Sequence, residues 1–240
     1  MCIRDRLGTP ANRDEWHGTP QTVNAFYNPV VNDITFPAAI LQSPFFSPDA
    51  SPAENFGGIG AVIGHEIGHG FDDQGSQYDG HGNLHQWWTD EDRAAFENLT
   101  AALVDQYEGL VPQALREQAE EGADLPGVNG RFTLGENIGD LGGLGIAVVA
   151  FRRFLAARGE ELGLEDTPET YRGLFKQWAL VWRSKIRPEF ARQLLAIDPH
   201  SPAEFRCNVI ASNIDEFHEA FGTSAGDGMW RESSERVNIW

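Results

Sequence analysis

Along residues 60–71 the chain reads Gly-Ala-Val-Ile-Gly-His-Glu-Ile-Gly-His-Gly-Phe. Apolar Val62, Ile63, Ile67 and Phe71 recur there at helical spacing and interleave with His65 and His69, which predicts a mostly buried helix. Its start is written upstream. Ser51-Pro52-Ala53-Glu54 supplies an N-cap serine, a proline at the first helical position and a glutamate three residues past the cap. Before that, residues 22–27 and 33–37 have the composition of two short strands joined through Asn28-Pro29. Asn24-Ala25 falls inside the first of them. An asparagine is unfavourable in mid-strand, so it either caps a turn or faces a ligand.

Beyond the histidines, residues 72–88 are glycine-rich and predict a hairpin or loop, with a turn at 79–83. Thr89-x-x-Asp92 opens an amphipathic helix to about residue 111, with Phe96, Leu99, Leu103, Tyr107 and Leu110 on its apolar side. A long helix follows Thr133, to about residue 158. Thr167-Pro168-Glu169 starts another, whose apolar stripe holds Phe175, Trp178, Val181 and Trp182. Pro188 interrupts it, a short helix leads to residue 197, Ser201-Pro202-Ala203-Glu204 repeats the cap seen at Ser51, and a last helix covers 213–221. The expected class is α+β, mostly helical, with a small sheet near the N-terminus.

Composition narrows the function more than the fold. The 240 residues suit one large domain or two small ones, and 41% hydrophobic with 22% charged residues is ordinary for a soluble globular chain. A net charge of −18 speaks against nucleic acid or an anionic membrane as partner, since phosphate binding needs basic surface. No run approaches eighteen uninterrupted apolar residues. Residues 1–6 lack the apolar core of a signal peptide and read unlike the rest, as a non-native start, so localisation stays open. Two cysteines, Cys2 and Cys207, are too few for a disulfide scaffold, and their spacing does not say whether they pair.

The chemistry concentrates in His65-Glu66-x-x-His69. Side chains four apart on a helix sit one turn above each other, so both imidazoles reach one ion while Glu66 faces what the ion holds. Two nitrogen donors beside a carboxylate base suit zinc. Asp72 and Asp73 lie close enough to orient the free nitrogen of His69; a solvated acidic loop is the plain alternative. Glu136 belongs either to a capping box with Thr133 or to a metal. Asp140, one turn on, is a carboxylate on an apolar helix and calls for a cation or a histidine. Gly64 and Gly68 precede the histidines as Gly135 and Gly139 precede Glu136 and Asp140. Each glycine costs such a helix about 1 kcal/mol relative to alanine, so the matched ridges predict two helices in close approach.

Taken together these stretches resemble the neprilysin and endothelin-converting-enzyme family of zinc metallopeptidases. The marks are Val23-Asn24-Ala25-Phe26-Tyr27, Phe36-Pro37-Ala38-Ala39, the histidine motif running on to Phe71-Asp72-Asp73, Gly135-Glu136-Asn137-Ile138-Gly139-Asp140, His200-Ser201-Pro202 with Phe205-Arg206, and a terminal tryptophan. The resemblance implies a thermolysin-like, glutamate-ligand (gluzincin) catalytic domain over residues 7–240, the C-terminal portion of the family without its N-terminal helical lobe. It implies one zinc ion on His65, His69 and Glu136, with Glu66 as base, His200 on the oxyanion and Asp140 hydrogen-bonded to a ligand histidine. Asn24 and Ala25 would hold the substrate backbone, and Arg206 a substrate carbonyl. Ile40, Phe45, Val62, Val181 and Trp182 would line a pocket for a bulky hydrophobic residue after the scissile bond. The expected activity is hydrolysis of oligopeptides. The alternative is a zinc-retaining but inactive binding module.

Overall fold

The computed structural model describes residues 7–16, 18–120 and 122–240. The stretch read as non-native, 1–6, lies outside the described residues, and Cys2 with it; Cys207 is a free thiol.

The cap at Ser51 forms as read. The Ser51 hydroxyl accepts the Glu54 N–H (3.3 Å), and the Glu54 carboxylate accepts the Ser51 N–H (2.8 Å). From it run α1 (Pro52–Asn55), one π-helical turn (Phe56–Gly60) and α2 (Ala61–Gly68) in continuous succession, with His69 as the closing residue. The Thr89 cap forms as well, its hydroxyl accepting the Asp92 N–H (3.1 Å), whereas Thr133 and Ser201 do not cap. Thr133 leaves the start of α5 (Leu134–Leu162) without a side-chain cap; its hydroxyl bonds the Asn129 carbonyl and accepts from Asn137. Glu136 is thereby free of any capping duty. Ser201 donates instead to Asn137 Oδ1 (2.8 Å), and Glu204 accepts the N–H of Gln113 (2.7 Å).

The sheet is a single antiparallel pair, β1 (Phe26–Asn28) with β2 (Asp33–Thr35), Tyr27 opposite Ile34. It is shorter than the stretches read from sequence. Pro37 cannot donate to a ladder and leads into a 3-10 turn over Ala38–Ile40. Asn24 thus lies ahead of the strand, exposed. Residues 72–88 form a loop holding one 3-10 turn and an isolated bridge, Tyr78 with Leu84.

Against α5 pack α2, α3 (Asp90–Tyr107) and α8 (Ala203–Ala211). Helix α6 (Pro168–Val181) meets it through Tyr171 on Phe151 and carries α9 (Asp215–Phe221), and α4 (Gln113–Arg116) and α7 (Pro188–Ile197) pack on each other. The core centres on Ile138, Leu144 and Phe151 of α5, joined by Leu103 and Tyr107, Leu174 and Trp178, and Ile210. Leu99, read as core on α3, is 38% exposed. A second, small cluster of Ala25, Ile40 and Ile59, with Phe45 and Val62 against it, ties the hairpin region to α2. The cleft described below lies where these two clusters meet. Among the described residues, no helix is long and apolar enough to cross a membrane.

The burial of α2 reverses the reading from its apolar residues. Ile63, Ile67 and Phe71 are 41–42% exposed, whereas His65 and Glu66 are 8% and 5% exposed. The inward face is built from Ala61, Gly64, His65 and Gly68, so it is smallness and not hydrophobicity that α5 selects there.

Candidate metal centre

Two glycine-lined helices cross at this site. A Cβ at Gly64 would lie 2.7 Å from the carbonyl oxygen of Gly143, and one at Gly143 would lie 2.6 Å from both the Ala61 oxygen and the His65 nitrogen. At the next pair a Cβ on Gly68 would make ordinary contact with the Gly139 Cα (3.4 Å), but one on Gly139 would lie 2.9 Å from the His65 ring. Backbone cannot yield as a side-chain tip does, so only residues without Cβ permit this approach. The pairing is one turn off the register expected: Gly143 completes the ridge, while Gly135 faces Asp72 and Asp73.

The crossing brings His65 and His69 of the first segment to Glu136 in the first turn of α5. Their candidate ligand atoms all lie within 4.8 Å of one another. Glu136 Oε2 is 3.3 Å from His65 Nε2, 3.8 Å from His69 Nε2 and 3.1 Å from His200 Nε2. Yet this buried oxygen meets hydrogen-bond geometry with none of them. A buried carboxylate oxygen among three imidazole nitrogens, aligned with no N–H, is what a shared cation would satisfy. Two nitrogens and one carboxylate fit zinc and leave a fourth position open.

Each imidazole is held from behind. His65 Nδ1 lies 2.9 Å from Asp140 Oδ1, and His69 Nδ1 lies 2.7 Å from Asp72 Oδ2. These bonds leave Nε2 of both rings toward Glu136. Asp72 is fixed in turn by the N–H groups of Gln74 and Gly75 (2.8 and 2.6 Å). His200 Nδ1 lies 2.7 Å from Asp198 Oδ1, and the Ser201–Asn137 bond ties its segment to α5. Asp140 takes a second partner that sequence did not supply. Arg206 donates Nε and Nη2 to its two oxygens (2.6 and 2.8 Å) and lies 3.9 Å over the Trp182 ring.

These contacts set the charges. Burial disfavours a proton on His65, but the carboxylates of Asp140 and Glu136 outweigh it and raise its pKa to about 9. Burial pushes Asp140 up, and Arg206 with His65 more than reverses that, leaving it below the usual aspartate value. His200 and His65 likewise overcome burial at Glu136 and hold it well below the carboxylate range. The neighbouring Glu136 raises His200 against the opposing effect of burial. Glu66 moves the other way: burial raises it, beyond what His65 and His69 restore.

A cleft of about 410 Å³ opens over the triad. Asn24, Ala25, Ile40, Phe45, Val62, Glu66, Trp182, His200 and Arg206, singled out from sequence, all reach it. Val181 does not; it packs against the main core. Trp178 takes its place on the wall, four residues before Trp182 and therefore on the same helical face, while Val181 is turned about 100° away. Asp198 was also missed, although its position two residues before His200 is a local turn signal.

With this geometry in hand, the similarity to known proteins is specific. A family model described as peptidase family M13 matches residues 24–237. The chain belongs to peptidase family M13. Among the relatives that it resembles, a neutral endopeptidase of Lactococcus lactis is 37% identical over 236 residues, covering 98% of this chain and 34% of that protein. Endothelin-converting enzyme 1 of Homo sapiens is 43% identical over 237 residues, covering 98% and 29%. A Mycobacterium tuberculosis zinc metalloprotease, solved in complex with an inhibitor, superposes with a TM-score of 0.90 at 50% identity, covering 98% of this chain and 35% of that one. The chain therefore spans about a third of the length of the M13 proteins that it matches. Its mostly helical architecture with one small sheet is that of the solved M13 peptidases.

Proposed function

We infer that residues 7–240 form one catalytic domain of a zinc-dependent metalloendopeptidase, in the thermolysin-like class whose third ligand is a glutamate. The observation that carries this is Glu136 Oε2, buried beside the imidazoles of His65, His69 and His200 without a hydrogen bond. His65, His69 and Glu136 would hold the ion. When bound, zinc polarises a carbonyl and makes water acidic near neutral pH. The protein's own groups carry the protons. Glu66, whose pKa burial raises above the usual glutamate value, takes one from water and delivers it to the departing amine. His200, favoured as a cation by Glu136, donates to the developing oxyanion. Asn24 and Ala25 at the cleft edge would hold the substrate backbone, and Arg206 a carbonyl past the cut. Ile40, Phe45, Val62, Trp178 and Trp182 give that side an apolar wall, which favours a bulky hydrophobic residue directly after the scissile bond.

The test is cleavage of a quenched peptide bearing such a residue, with Glu66→Gln alongside. Parent activity should fall about 10³-fold in Glu66→Gln while zinc content stays equal. Equal turnover in both would defeat the assignment. A second reading is a module that retains zinc and binds peptides without turnover. It predicts stoichiometric zinc and no parent turnover.

A further inference from the structure

The metal cleft continues into a second, larger space of about 850 Å³. The two share Asn24, Trp182, His200 and Arg206 as a common wall. Beyond them the second space has an apolar floor from α7, where Phe190 is 51% exposed and Leu194 and Leu195 are half-buried. Its far rim is the non-helical link between α6 and α7, Arg183-Ser184-Lys185-Ile186-Arg187, of which Lys185 and Arg187 reach the cleft.

That link is electrically out of character with the rest of the chain. It places three of the 18 basic residues within five positions of a protein whose net charge is −18. Among the described residues, no carboxylate forms an ion pair with Lys185 or Arg187. The acid on this cleft's wall, Asp198, is already committed to the ring and N–H of His200 (2.7 and 2.9 Å). Two free cations over an apolar trough, opening directly from the reaction centre, attract a chain that is apolar in body and anionic at one point.

We propose that this second space takes the departing-amine side of the peptide and selects for a carboxylate there, read by Lys185 and Arg187. The direction rests on the zinc-hydrolase reading, in which Trp182 and Arg206 meet the substrate after the scissile bond. The carboxylate has two sources, an Asp or Glu side chain and the free C-terminus of a short peptide. Both offer the same two anionic oxygens to an ammonium and a guanidinium. Lys185 and Arg187 are specificity-determining residues in this scheme and leave the chemistry to the metal centre.

Paired peptides test it. One series carries Asp or Asn at each of the first three positions after the cut, and a second ends in a free acid or an amide. At low ionic strength the best carboxylate peptide should exceed its neutral partner about fivefold in kcat/KM, a ratio that salt pulls toward one. In Lys185→Glu/Arg187→Glu the same ratio should drop below one. The two series identify which carboxylate is read. Equal ratios at every position in the parent, or a preference that survives charge reversal, overturn the proposal. Fluorescence anisotropy of the same peptides on zinc-loaded Glu66→Gln protein decides the matter independently of turnover. Selective binding without any parent cleavage would keep the cleft assignment and sink the hydrolase reading. Cleavage without selectivity would do the opposite.

Discussion

The two sides of α2 follow opposite rules. Its inner side is poor in large apolar groups, being glycine, alanine, histidine and glutamate, and it is the side pressed against α5. Its outer side presents Ile63 and Ile67, and Phe71 just beyond, to solvent. Hydrophobic burial drives most helix packing. Here it is subordinate to reach: ligand atoms on two helices must converge within 4.8 Å, and side chains between the backbones would hold them apart. A helix can therefore bury its polar face when small residues let a second helix supply the partners. Asp140 and Glu136 do that for His65.

The sharpest way to break this contrast is to restore a side chain on the inner side. Gly143→Leu places atoms against the backbone of Ala61 and His65 and should cost about 4 kcal/mol or more, above ordinary overpacking because backbone must move. Urea unfolding would register it, with zinc lost in parallel. Parent-like stability would mean that the crossing is not tight. Next comes the charge beneath the histidine. Asp140→Asn strands the buried Arg206 and should cost about 3 kcal/mol at pH 7. Because the folded pKa of Asp140 is depressed, the carboxylate's stabilisation is complete above the ordinary aspartate value and fades as pH falls through the lower one. The difference between parent and variant should accordingly narrow in strong acid; a constant gap would assign the loss to packing.

A smaller effect concerns protons and zinc. His65 holds its proton up to about pH 9 in the protein's own field, and a ligand nitrogen must give that proton up. Zinc affinity in a chelator competition should rise about tenfold per pH unit below that value from this residue alone. A flat profile between pH 6 and 9 would contradict it. The least consequence belongs to the outer side. Ile63→Ser and Ile67→Ser should each change stability by no more than about 0.5 kcal/mol, since both positions are substantially exposed. A loss of several kcal/mol would show that this side is covered in solution.

Legibility in the sequence followed the range of the interaction. The Ser51 cap, the α3 start at Thr89 and the proline start of α6 are contacts within one turn, and all appear where the chain writes them. The spacing of His65 and His69 likewise fixed their shared face. The same local logic failed where a distant partner competed for the capping group. Thr133 turned back to Asn129, and Ser201 to Asn137. Val181 packs on the core and not on the cleft, and a stripe of apolar residues does not say which edge meets which.

By itself, then, the sequence determined most of the helices, the caps at Ser51 and Thr89 and the identity of the atoms offered to a cation, because these depend on neighbours a few bonds away. Only the tertiary structure decided which face of α2 is inside, that Gly143 completes the crossing, and that Asp140 is shared between His65 and Arg206. Those outcomes depend on how two helices some seventy residues apart fit against each other, and the shape of a contact belongs to both of its sides.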